Sequence, residues 1–187
     1  MSPVIDHPTL APLFRYWQEK RGVRALPARR DIDPVEMGPA LLPHLLLGDL
    51  LDRGTRVRFR LVGTVVVRRL GFDPTGKYLG DENGAWFEQL AALNRLVYAE
   101  RAPVYAESLF TWGTGRRLEA QHLLLPLNQD GPDPSIALMG LVFRTPEPFP
   151  PTLRVLGETG QHRELLRAVL RQPPAQDWHE AAGRNVA

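Results

Sequence analysis

The run Arg56-Val57-Arg58-Phe59-Arg60-Leu61 most narrows what this chain can fold into. Charged and apolar residues alternate through it, which is the period of a half-buried strand. Val57, Phe59 and Leu61 are therefore expected on one core-facing side and the three arginines on the wet side. Upstream, Leu45 to Leu51 is apolar with Asp49 as its one acid. Asp52-Arg53-Gly54 separates the two runs, and a glycine-containing loop of about three residues suits a β-hairpin. Downstream, Thr64 is placed to cap a short helix and Gly71 to stop it in the left-handed conformation. The intervening Val65, Val66 and Val67 are poor helix formers, so this helix must owe its existence to packing.

The remaining elements follow from periodicity. Thr9 to Arg21 reads as an amphipathic helix, with Leu10, Leu13, Phe14 and Trp17 on one stripe and Gly22 at its end. Asp33-Pro34 suits the start of a helix over 34–41. Asn83 is a candidate cap for the strongest helix, Ala85 to Arg101, whose Trp86, Leu90, Leu93 and Val97 fall at i, i+4, i+7 and i+11. Strands are expected at Val104 to Trp112, Arg117 to Leu127 and Ser135 to Phe143, joined by glycine-bearing turns. Leu165, Leu166, Val169 and Leu170 predict a short helix over Gln161 to Arg171, and the tail after Pro173-Pro174 reads as disordered.

In this order the elements give an α+β fold: a five-stranded antiparallel sheet with helices across one face. An N-terminal flanking helix occupies 1–22, the main domain 23–146, and an extension with a short helix and a tail 147–187. With 187 residues, 43% of them hydrophobic and 24% charged, the chain can bury a real core. The formal charge of only +2 gives no reason to expect nucleic acid as a partner. No apolar run reaches the roughly 18 residues that span a bilayer, and the N-terminus lacks the pattern of a signal peptide. No membrane association and a cytoplasmic location are the expectations.

Chemistry-bearing residues are sparse. The absence of cysteine excludes thiolate metal sites and cysteine nucleophiles. His122 shares a strand face with Leu118, Ala120 and Leu124, so an imidazole is expected on an apolar side. It is either a core or interface histidine, or a polar anchor or iron ligand in a pocket. Glu107 and Glu119 lie on neighbouring strands and read as exposed partners of nearby arginines, or as acid–base groups acting with His122. No two histidines have metal-site spacing, and no phosphate-binding or nucleophile-elbow motif is present.

Words and order together resemble the PAS domain family. The matching residues are Tyr16-Trp17, Pro27-Ala28-Arg29, Asp31-Ile32-Asp33-Pro34, Leu42-Pro43-His44, Phe59-Arg60-Leu61-Val62-Gly63-Thr64, Thr75-Gly76, and Leu123-Leu124-Leu125-Pro126-Leu127 with Gly131. In particular the chain is similar to stand-alone bacterial PAS-like proteins of unassigned function. The resemblance implies a non-enzymatic sensory module with a pocket between the long helix and the sheet. Its lining would be Phe59, Leu61, Val66, Trp86, Leu90, Leu93, Val97, His122 and Leu124, around a small apolar ligand. PAS domains hold haem, flavin, small organic molecules or nothing visible, so the cofactor is left open; the flavin-photosensor branch needs a cysteine this chain lacks. The resemblance also implies a homodimer through Leu10, Leu13, Phe14 and Trp17 and a separate signalling partner. The alternative is an interaction adaptor without a ligand.

Overall fold

A computed structural model describes residues 5–81, 85–112, 116–129, 131–144 and 161–171. The helices are α1 (Leu10–Arg21), α2 (Pro34–Leu41), α3 (Thr64–Leu70) and α4 (Ala85–Glu100). The strands are β1 (Leu45–Leu51), β2 (Arg56–Val62), β3 (Val104–Trp112), β4 (Arg116–Leu127), β5 (Ile136–Arg144) and β6 (Gln161–Val169). They form one sheet in the order β2-β1-β5-β4-β3-β6, antiparallel at every junction. The β1–β2 hairpin and the β3–β4–β5 meander lie side by side through the β1–β5 pairing, with α3 and α4 crossing between them in sequence.

Local chemistry accounts for most boundaries. The Asp33 side chain accepts from the Val35 N–H at 2.8 Å and Pro34 opens α2. Gly71 closes α3 at φ 80°, ψ 5°, the left-handed cap that glycine permits. Thr64 is the first residue of α3 rather than its cap, and Thr9 precedes α1 without a side-chain capping bond. The expected Asn83 cap, the proline-rich stretch after 144 and the C-terminal tail lie outside the described residues.

The sheet carries a core on each face. On the inner face, α3 and α4 pack over residues such as Phe59, Ala106, Leu118, Leu124 and Met139. On the outer face, α1 and α2 cover Leu45, Leu47, Tyr105, Leu123, Leu125 and Leu138. The expected helical layer is therefore present, and the flanking helix supplies a second one. Leu10, Leu13 and Trp17 are at most 1% exposed. Trp17 Nε1 donates to the Pro126 carbonyl at 2.9 Å inside the outer core, and Phe14 stacks on Trp17 with centroids 6.3 Å apart. Within the single chain, Leu10, Leu13 and Trp17 are packed against its own sheet.

Two further expectations are corrected. Gln161 to Val169 is a strand, not a helix, and β6 adds a sixth member to the sheet by pairing with β3. Glu107 stands opposite Leu166 while Ser108 stands opposite Glu164, so Leu165 is an extra residue in the ladder. Such a bulge sets two consecutive residues against one. The spacing of Leu165, Leu166, Val169 and Leu170 nonetheless imitates a helix. Leu61 is the second correction. Leu47 faces Leu61 but Gly48 faces Phe59, so Arg60 is bulged and the alternation changes phase. Val57 and Phe59 enter the inner core at 1% exposure, whereas Leu61 turns to the outer face and is 45% exposed.

Candidate functional site

The inner core assembles eight of the nine expected pocket residues. Phe59, Val66, Trp86, Leu90, Leu93, Val97 and Leu124 belong to one continuous cluster, and each is at most 2% exposed. The helical spacing along α4 turns its four members onto the sheet. His122, 1% exposed, stands on the same sheet face between Ala106 of β3 and Leu141 of β5. Leu61 is excluded by the Arg60 bulge. Around His122 the sheet is lined by small side chains: Ser108 stands opposite Ala120, and Ala106 opposite His122 itself.

Three polar residues that periodicity did not single out share this core. Gln89, Asn94 and Ser108 are 5%, 0% and 0% exposed. The Gln89 amide donates to the Ser108 hydroxyl. Asn94 Nδ2 donates to the Leu90 carbonyl one turn back at 2.8 Å and lies 3.8 Å from the Met139 sulfur. Gln89 Oε1, Asn94 Oδ1 and Trp86 Nε1 are fully buried with no hydrogen-bonding partner among the described residues. A buried polar atom left in this way costs about 1–3 kcal/mol. The strand alternation Val104-Ala106-Ser108-Phe110 could have disclosed Ser108. Gln89 and Asn94 were obscured because they flank the apolar stripe of α4.

No carboxylate, lysine or arginine is among the buried residues described on the inner face. Among the described residues the buried polar side chains are Gln89, Asn94, Ser108, Gln121, His122 and Arg21, and Arg21 lies on α1 at the opposite face. No group of three metal-ligating side chains occurs among the described residues. The arrangement can therefore solvate a neutral molecule through amide, hydroxyl, indole and imidazole groups, within apolar walls.

The carboxylates considered as partners of His122 are on the other face. Glu107 Oε1 accepts from the Tyr105 hydroxyl at 2.6 Å and from Gln121 Nε2 at 3.0 Å. Burial, reinforced by the Glu107 bond, pushes the Tyr105 phenol well above its ordinary pKa. Glu119 stands opposite Arg144. The Arg58 and Arg60 side chains meet Asp49 at 3.1 and 3.2 Å, and Arg56 reaches Asp52 at 3.7 Å. The arginine row is thus partnered across its own hairpin.

The sheet order, the long helix over the inner face and the helix-rich crossing between two hairpin systems agree with one sequence comparison. The family model described as PAS domain matches residues 5–143. The chain belongs to the PAS domain family. The match takes in α1 through nearly all of β5, and β6 lies beyond it. Neither a curated protein nor a solved structure matches the chain. Membership makes the protein one of a family of sensory and interaction modules. Among the described residues, no helix of this PAS domain is long and apolar enough to cross a membrane.

Proposed function

We propose that this PAS domain is a non-enzymatic sensor that takes a small neutral molecule between α4 and the inner sheet face. The ligand would be largely apolar with a hydrogen-bonding edge. The observation that carries the reading is the set of fully buried groups without a partner among the described residues: Trp86 Nε1, Gln89 Oε1 and Asn94 Oδ1. A core selected for stability alone would place apolar atoms there. A bound molecule offering donors to the two amide oxygens and an acceptor to the indole would offset that cost. The apolar ligand implied by resemblance is thus given a polar edge.

Consecutive residues of β5 link the site to the outer layer. Met139 touches Asn94 on the inner face, and a side chain on Gly140 would meet Leu10 and Leu13 of α1 on the outer face. A ligand that binds two positions of β5 with different affinity would shift α1 between two arrangements, for a separate signalling partner to read.

Thermal-shift titration tests the reading. Indole and benzamide, both neutral with an N–H donor, are expected to raise the melting temperature, and benzoate is expected not to. An absorption spectrum of the purified protein reports haem or flavin directly. A flat response to all three probes, with no visible band, would remove the ligand from the account.

A further inference from the structure

A histidine ahead of α1 fastens the first turn of that helix. The His7 carbonyl accepts from the Ala11 N–H at 2.9 Å, and His7 Nδ1 accepts from the Thr9 N–H at 3.1 Å. A backbone N–H can only donate, so the second bond requires Nδ1 to be unprotonated. The ring here takes the part that an Asn or Asp side chain takes toward the N–H two residues on. Thr9, at the cap position, makes no side-chain capping bond of its own. The turn held in this way is the one whose Leu10 and Leu13 lie over Gly140 of β5.

The surroundings of His7 oppose a positive charge. The ring is half-buried, and it sits at the positive end of the α1 dipole, whose first turn contains no acid. Arg144 of β5 and His44, from the 3-10 turn Leu42–His44 ahead of β1, both act on it as cations. His44 Nδ1 is 3.1 Å from the Leu141 carbonyl. Asp6 favours the charged ring, but it also meets Arg144 at 3.9 Å. The acids on the strands beyond are turned to other groups. Glu119 of β4 stands opposite Arg144, and Glu107 of β3 accepts from Tyr105 and Gln121. Burial first, then Arg144 and His44, hold the His7 pKa below its ordinary value.

We propose that His7 is a pH-operated latch on α1. With a neutral ring the first turn of the helix is fastened over β5; protonation takes away the acceptor for Thr9 and sets an imidazolium beside Arg144, which loosens that end of α1. The sign is fixed by the chemistry. A base depressed in the folded state contributes fully above its unfolded pKa of about 6.5 and loses that contribution as pH falls through the folded value. The latch needs no ligand in the inner core, so it and the sensor reading can fail separately.

NMR of the full chain tests it, with His7→Asn as the non-titrating control, because Asn accepts from the N–H two residues on without changing charge. The His7 ring should titrate with a midpoint below about 6.5, and the Thr9 amide shift should follow the same midpoint. Hydrogen exchange at Ala11 and Leu13 is then compared between parent and variant at about pH 7.5 and about pH 5.5, on the two sides of the ordinary histidine value. The parent should match His7→Asn at the higher pH and lose protection relative to it at the lower. His7→Ala, which lacks the acceptor, should be the less protected at both. A His7 midpoint at or above the ordinary value would overturn the proposal. So would equal loss in parent and His7→Asn on acidification, or full protection in His7→Ala.

Discussion

Asn94 Nδ2 lies 3.8 Å from the sulfur of Met139, and the next residue, Gly140, lies directly beneath Leu10 and Leu13 of α1. One strand therefore separates a buried amide from the helix on the opposite face. A Cβ at position 140 would come within 2.6 Å of Leu13 and 2.8 Å of Leu10. Gly140→Ala is expected to cost about 1–3 kcal/mol by overpacking. Hydrogen exchange should show the loss concentrated in α1, with α4 retaining its protection. Equal loss in both helices would contradict the layered arrangement.

Gly63→Ala is expected to be worse, because its Cβ would meet the backbone carbonyls of Pro43 and Leu42 rather than side-chain ends. Backbone held by the Gly63 N–H bond to Leu45 at 2.7 Å has little freedom to move aside. A urea midpoint for Gly63→Ala above that of Gly140→Ala would show that this contact is softer than it looks.

Trp17 anchors α1 by its indole bond to Pro126 and by complete burial. Trp17→Phe should cost about 1–3 kcal/mol, most of it from leaving a buried carbonyl unpaired. Trp17→Ala should cost about 3–5 kcal/mol, adding the cavity. Chemical denaturation of both variants checks the order.

Asp31 gives a pH dependence with a defined sign. Its carboxylate accepts from the Ala28 N–H at 2.8 Å and faces Arg24 at 2.7 Å. The backbone hydrogen bond first, then Arg24, hold its pKa below the ordinary value. A carboxylate depressed in the folded state stabilises fully above its unfolded pKa of about 4 and loses that contribution as pH falls through the folded value. The segment it braces is tied to the end of β4 by Arg29 N to Asn128 O at 2.7 Å. Asp31→Asn should lower stability near neutral pH by about 1 kcal/mol, and the difference from the parent should shrink at about pH 3. A constant difference at both pH values would argue against Asp31 as the source.

Much of this fold was legible because single faces dictated it. The α4 stripe, the hairpin at Asp52-Arg53-Gly54 and the Gly71 stop each rest on local periodicity or turn chemistry, and the structure keeps them. Leu61 and β6 were misread for one shared reason: a bulge changes the phase of a strand without leaving a mark in residue type. At Arg60 it turned Leu61 outward; in β6 it falls at Leu165, inside a leucine spacing that imitates a helix. For β6, the open edge of β3 also outweighed local helix propensity. The polar part of the site was hidden differently. Gln89 and Asn94 sit beside the apolar stripe, and only the sheet packed against α4 decides that they are buried.

Asn94 carries the most direct test of the ligand account. With no ligand, Asn94→Leu should stabilise the protein by about 1 kcal/mol, because it removes a buried acceptor that has no partner among the described residues. The same variant should lose ligand binding. Native mass spectrometry of the protein as purified, beside Asn94→Leu, reads both halves when combined with a melt of each. The account predicts a noncovalent adduct, or an indole-bound species on titration, for the parent and the bare chain mass for a more stable variant. A bare parent that gains no mass with indole or benzamide, together with a destabilised Asn94→Leu, would show that Asn94 serves packing and that the inner core holds no ligand.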